Sequence, residues 1–338
     1  MLVIRPITDA DYPALMRCAE ESGHGFTSLP VNEELLRNRI EHSIESFKTT
    51  VTEPGNEGYL MVAEDTETGE VAGTTAIEAA IGLDNPFYSY HISKVVHSSH
   101  RLGVNNVVKL LTFGNNYTGC SEICTLFLRP EFRGGLNGRL MSKSRFLMMA
   151  EHRERFSETV FAEMRGVSDE DGNSPFWEWL QEHFFSIDFK LADYLTGIGK
   201  KGFIADLMPK LPIYINLLSP EAQAVIGQVH EKTRPALRLL EKEGFSCRGY
   251  VDIFDAGPTV ECDLRNVESV RHSFRCRVVI GEHTSAQQYL IANTSFEHFR
   301  ATAAAAAVDK ETDTVHLSQE VASALQVKAG DMVRLLAQ

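Results

Sequence analysis

Residues Cys124 to Met141 read CTLFLRPEFRGGLNGRLM. The apolar run Cys124 to Leu128 is broken by Pro130 and by the adjacent glycines Gly134 and Gly135, and helical spacing follows. A strand that passes through a glycine-bearing loop into a helix gathers several unbonded backbone N–H groups at one point. Such a point suits a phosphate or pyrophosphate. The stretch predicts an α/β chain with an anion site at a strand–loop–helix junction.

The rest of the chain sets bounds on that reading. Its 338 residues suffice for one large domain with an appendage, or for two domains. With 43% hydrophobic and 23% charged residues it falls in the range of soluble globular proteins. No apolar run reaches the roughly 18 residues that a membrane span requires, so none is expected. The opening MLVIRPITDADYPAL lacks the basic and apolar segments of a secretion signal. Six cysteines lie scattered, and Cys120 and Cys124 have no second pair at zinc spacing. Reduced thiols in a cytoplasm are expected, with neither a metal nor a redox cofactor. The formal charge of −13 disfavours nucleic acid as a partner and suits a cationic substrate.

Leu2 to Ile7 predicts a strand, and Thr8 to Asp11 an N-cap ahead of a helix bearing Leu15, Met16 and Ala19. Asn32 is expected to cap a helix running to about Phe47. Gly58 to Glu64 and Val71 to Ile81 read as a hairpin. Between residues 83 and 120 only Ser93 to His97 suggests a strand, and the asparagines at 105, 106, 115 and 116 read as loop. Downstream come a helix from Asn137 to Glu151, a strand from Thr159 to Met164 and an aromatic helix opening at Pro175. The helix PALRLLEKEG stops at Gly244. Beyond residue 275 the short β-like runs, with a helix at Ser318 to Leu325, predict a small barrel or sandwich.

Three segments carry a family resemblance. PEFRGGLNGRLM resembles the acetyl-CoA loop of the GNAT N-acyltransferases, where a strand meets Arg/Gln-x-x-Gly-x-Gly/Ala and a helix. Arg133 and Gly138 match the ends of that motif, and Leu136 stands where its first glycine belongs. LRLLEKEGF, Leu237 to Phe245, resembles the helix that packs near the thiol end of CoA, and MLVIRPITDADYPAL the first strand and helix. The resemblance implies a mixed sheet flanked by helices over residues 1–265, with an insertion at about 166–230 and a small β-barrel-like domain at 266–338. A set of islands is similar, end to end, to the arginine N-succinyltransferases: TSLP, CTLFL, SKSRF, EMRG, SPFW, IGQVH and DIFDAGPT.

That resemblance implies transfer of succinyl from succinyl-CoA to the α-amine of L-arginine, a step of arginine catabolism. It also implies a homo-oligomer or pairing with a paralogous subunit. His230, in IGQVH, matches the family's catalytic histidine. The amine must lose a proton and the thiolate gain one, and which of these His230 serves stays open. Leu126 matches a succinyl-CoA contact, through its backbone; Arg133, Gly134, Gly135 and Gly138 would hold the pyrophosphate. For the guanidinium the candidates are Glu163, Asp252 and Asp255; for the succinyl carboxylate, Arg165, Ser28, Thr27 and Lys143. Phe176 and Trp177 read as core. Two other readings remain: an acyltransferase for ornithine or another amine, and a non-catalytic partner subunit whose CoA site is degenerate at Leu136.

Overall fold

The computed structural model describes residues 1–23, 28–169, 172–185, 202–282 and 284–338, and residues 187, 191 and 195. Its strands are β1 (Leu2–Pro6), β2 (Gly58–Asp65), β3 (Val71–Glu78), β4 (Ser89–Ser99), β5 (Val104–Gly114), β6 (Ser121–Leu128), β7 (Thr159–Glu163) and β8 (Ile213–Tyr214). They continue with β9 (Ser246–Val251), β10 (Pro258–Asp263), β11 (Phe274–Ile280), β12 (Gln288–Asn293), β13 (Ala301–Ala305), β14 (Ala307–Asp309), β15 (Thr314–Leu317) and β16 (Met332–Ala337). The described helices are α1 (Tyr12–Ser22), α2 (Glu33–Lys48), α3 (Asn137–Glu151), α4 (Pro175–His183), α5 (Gly202–Leu207), α6 (Pro220–Val225), α7 (Arg234–Lys242), α8 (Glu268–His272) and α9 (Gln319–Leu325).

Local chemistry starts and stops these elements where the sequence predicts. The Asp11 carboxylate accepts from the Thr8 N–H at 2.8 Å, and Arg5 of β1 closes onto Asp11 at 2.7 Å and onto Glu64 of β2. The Asn32 side chain accepts from Leu35 N–H and opens α2. Gly244, at φ 95°, takes the left-handed position after α7.

All strands join one sheet in the order β14-β15-β11-β16-β12-β13-β1-β2-β3-β6-β7-β10-β9-β4-β5-β8. One face of its centre packs on α3 and Leu240 of α7, the other on α1 and α2. The C-terminal strands extend this sheet through β1–β13 pairing and enclose their own apolar cluster with α9. Glu151, at the end of α3, holds that segment by ion pairs to Arg275 and Arg334. Phe176 and Trp177 are buried with Phe254 in a separate cluster between α4, α6 and the base of β4–β5, as expected of core residues. Residues 83–120 differ from the sequence reading. β4 and β5 form an eleven-residue-per-strand hairpin that includes Asn105 and Asn106. No helix among the described residues is long and apolar enough to cross a membrane.

The feature that positions the site is a fork. β6 and β7 run parallel but pair only at Ser121–Val160 and Glu122–Phe161; beyond these they part. β6 stays with β3, and β7 stays with β10.

Candidate active site

Two devices dress the fork on the β6 side. Thr125 takes φ 54°, and together Thr125 and Leu126 face Thr75 alone, which is a bulge. The Thr125 carbonyl accepts from the Thr74 hydroxyl at 3.0 Å, on the β3 side. In a trans peptide the following N–H points the opposite way. The Leu126 N–H is therefore aimed into the fork, where a thioester oxygen would need a donor.

The second device is the start of α3. Gly134 and Gly135 take φ 153° and 51°, which turns the chain sharply after Phe132. Asn137 N–H bonds to Gly134 O, and Leu140 N–H to Leu136 O. The amides of Gly135, Leu136, Gly138 and Arg139 have no acceptor among the described residues. No acidic side chain lies in this first turn, and no side chain caps it. Leu136 occupies the N-cap in a helical conformation, so its side chain displaces none of these amides. Arg133 is exposed, and its Nε donates to Leu128 O at 2.8 Å, tying the loop to the end of β6. The arrangement fits a pyrophosphate. Space around Gly138 is open. Gly138→Glu, which sets a carboxylate against these amides, is expected to weaken CoA binding by on the order of 10- to 100-fold. Gly138→Ala should bind as the parent does; titration calorimetry with CoA reads both.

The β7 side brings His230. Past Glu163 the chain stays extended: Met164 N–H bonds to Pro258 O on the β10 side. Backbone groups of successive extended residues face opposite ways, so the Arg165 carbonyl faces the fork. It accepts from His230 N–H at 2.8 Å, and Gly166 bridges Val229 antiparallel. Asp255 braces this extension from behind: its carboxylate accepts from Gly166 N–H at 2.7 Å and Gly257 N–H at 2.8 Å. Both Asp255 oxygens are thus used on backbone, and burial and the Asp252 charge raise its pKa well above the usual range. The His230 Nδ1 accepts from Lys232 N–H at 3.1 Å, so the neutral ring carries its proton on Nε2. Burial, then the charges of Arg165 and Lys232, hold its pKa below the usual 6.5. Arg165 itself donates to the Ser168 hydroxyl at 2.8 Å.

A cavity of about 610 Å³ meets the fork on the α2 face. That volume suits a small molecule, for which pockets of about 300–1,000 Å³ are usual. Glu122 and Cys124 of β6 and Glu163 of β7 line it where the strands part; Glu78, Asp84 and Asp252 add three more carboxylates. One guanidinium, Arg39 of α2, reaches in and is already shared between Glu78 at 3.1 Å, the Thr125 hydroxyl at 2.8 Å and the Ser28 carbonyl. The wall is acidic on balance and fits a cation.

Of the residues the sequence singled out, Glu163, Asp252 and Ser28 line this cavity. Asp255 and Arg165 do not. Thr27 lies outside the described residues. Lys143 is bound to the buried Glu243 at 2.9 Å. Arg39, Glu78 and Glu122 escaped the sequence reading. Their signal is a charged side chain set among buried apolar neighbours on β3, β6 and α2.

A parallel fork, a bulge that turns one N–H into it and a bare helix start together define the site of an acyl-CoA N-acyltransferase. The family described as arginine N-succinyltransferase beta subunit matches residues 2–269, and its C-terminal domain matches residues 274–337. The chain belongs to the arginine N-succinyltransferase family. The arginine N-succinyltransferases of Salmonella schwarzengrund and Salmonella agona are each 50% identical to it over 338 residues, covering 99% of this chain and 97% of theirs. A solved structure, arginine/ornithine succinyltransferase subunit AI from Pseudomonas aeruginosa, is 37% identical with a TM-score of 0.91. That match covers 100% of this chain and 98% of the other.

Proposed function

We propose that the chain moves the succinyl group of succinyl-CoA to the α-amine of L-arginine. The observation that carries this is the acidic cavity meeting the fork between β6 and β7. In this reading CoA lies along the fork with its pyrophosphate at the start of α3. The thioester oxygen takes the Leu126 N–H. The guanidinium enters the cavity and pairs with Glu122, Glu163 and Asp252, which leaves the α-amine facing the thioester carbon. Attack forms the C–N bond, the C–S bond breaks, the amine nitrogen sheds a proton and the sulfur gains one. His230 presents Nε2–H as a hydrogen-bond donor to the departing sulfur, a role that its Nδ1 bond to Lys232 favours. Solvent takes the amine proton and supplies the one the sulfur gains.

Because the lowered pKa keeps His230 neutral at pH 7, acidification protonates it only below 6.5 and then breaks the Nδ1 bond. The expected result is a parent-to-His230→Gln activity ratio that holds at neutral and higher pH and declines as the pH falls through the lowered pKa of His230. Dividing the two profiles removes the ionisation of the arginine amine, which both share. The proposal as a whole is tested by following free thiol: succinyl-CoA with L-arginine should release CoA. Purified chain that releases none sinks it. Assembly with a second copy or a paralogous subunit belongs to the same reading, and light scattering of the purified chain measures it.

A further inference from the structure

Arg145 lies in the middle of α3 with 2% of its surface exposed. Its Nε donates to Ser142 O at 3.0 Å and its Nη2 to Ser142 Oγ at 3.3 Å. Nη1 has no acceptor among the described residues, and no carboxylate pairs with the side chain. Its one electrostatic neighbour among the described residues is the Cys124 thiol, and burial pulls the guanidinium down to about 10. Other arginines with little exposure find partners beyond their own helix turn: Arg5 has Asp11, Arg39 has Glu78, Arg129 has Glu70, and Arg155, which also lacks a carboxylate, has the Tyr59 hydroxyl and the Thr49 carbonyl. Protein interiors hold charges in pairs because an unpaired buried charge is costly. Arg145, whose bonds go only to Ser142 of its own helix, has the capacity to take an anion from outside the chain.

Its place says which anion. Arg145 follows Asn137 by eight residues, about 12 Å along the helix from the bare amides. Cys124, in electrostatic range, precedes Leu126 by two residues. The guanidinium thus lies about two turns beyond the start of α3, within electrostatic range of the β6 segment that carries Leu126. Two carboxylates meet near the thioester, one on the succinyl group and one on the amino acid. The cavity lies on the α2 face of the sheet, whereas α3 packs on the opposite face. We propose that Arg145 receives the carboxylate of the succinyl group and so selects succinyl-CoA over uncharged acyl-CoA. This rests on the succinyl-transfer reading above.

The test compares parent and Arg145→Met in kcat/KM for succinyl-CoA and for butyryl-CoA, its near-isostere without the charge, each with L-arginine and with agmatine. Succinyl-CoA should lose on the order of 100-fold and butyryl-CoA at most a few-fold, so that the donor preference collapses. The unliganded variant should melt no lower than the parent, because an unmatched buried charge has been replaced by an apolar side chain. A brace for α3 would instead lower the melting temperature and both donors alike. Equal loss with both donors overturns the proposal. So does an intact donor preference with lost discrimination between arginine and agmatine, which would give Arg145 to the amino-acid carboxylate. Should Arg145→Met be insoluble, Arg145→Gln drops the charge but keeps hydrogen bonding, and the same collapse is expected. A parent protein that releases no thiol from succinyl-CoA sinks the underlying reading. An active parent whose donor preference survives the substitution sinks this inference alone.

Discussion

His230→Ala should lower kcat by about 10²- to 10³-fold, the usual cost of removing one hydrogen-bond donor aimed at developing negative charge. KM for succinyl-CoA should change little, because the proposed arrangement assigns the pyrophosphate and thioester contacts to α3 and β6. The reasoning is geometric. The side chain sits on the segment that pairs with the extension of β7 on its fork side, opposite the bulge that aims Leu126 N–H. Nothing in the core depends on the ring: His230 is half-buried, and its side chain bonds only to loop backbone, at Lys232 N–H and Ser168, among the described residues. The variant should fold and melt as the parent does, so an activity loss reads as chemistry. Retention of full turnover in a folded His230→Ala would remove the residue from the mechanism. A variant whose kcat holds while KM for arginine climbs would make it a binding residue.

Glu163→Gln and Glu122→Gln should each raise KM for arginine, by on the order of 10- to 100-fold, the strength of a lost charge-assisted bond. Kcat should fall less, since the thioester contacts remain. The two carboxylates stand where the strands part, one on each, so a guanidinium between them fixes the distance from the cavity wall to the fork. The effect should be specific to the cationic end. Turnover of norleucine, which has no side-chain charge, should be slow in the parent and little altered in the variants. Matching losses for arginine and norleucine would mean that the glutamates support the fold rather than the substrate. Steady-state kinetics with both acceptors decides it.

Much of this architecture is legible in the sequence where a local rule acts alone. α3 begins and ends at Asn137 and Glu151 as its spacing predicts, and Gly244 stops α7 because only a left-handed residue fits there. The β4–β5 hairpin is not legible. Most of its residues from Ser93 to Val107 are at least partly exposed on both faces, so no core enforces a two-residue alternation. Its asparagines therefore look like loop. The site divides in the same way. The glycine loop and Leu126 are contiguous with the stretch Cys124 to Met141, whereas His230 is placed by pairing with Arg165, distant in the chain. Asp255 and Lys143 have the chemistry of ligands, but their atoms are taken by Gly166, Gly257 and Glu243. Local sequence carries no trace of such long-range partners. Arg39, Glu78 and Glu122 come together only when α2, β3 and β6 are packed.

The central claim is that the guanidinium is anchored in the acidic cavity while the α-amine meets the thioester at the fork. Proton NMR of the product formed from succinyl-CoA and L-arginine tests it most directly. The account predicts a single amide at N2, seen as a shifted α-proton with the δ-methylene and guanidinium signals unchanged. Acylation on the guanidinium, or thiol release without an amide, would contradict it.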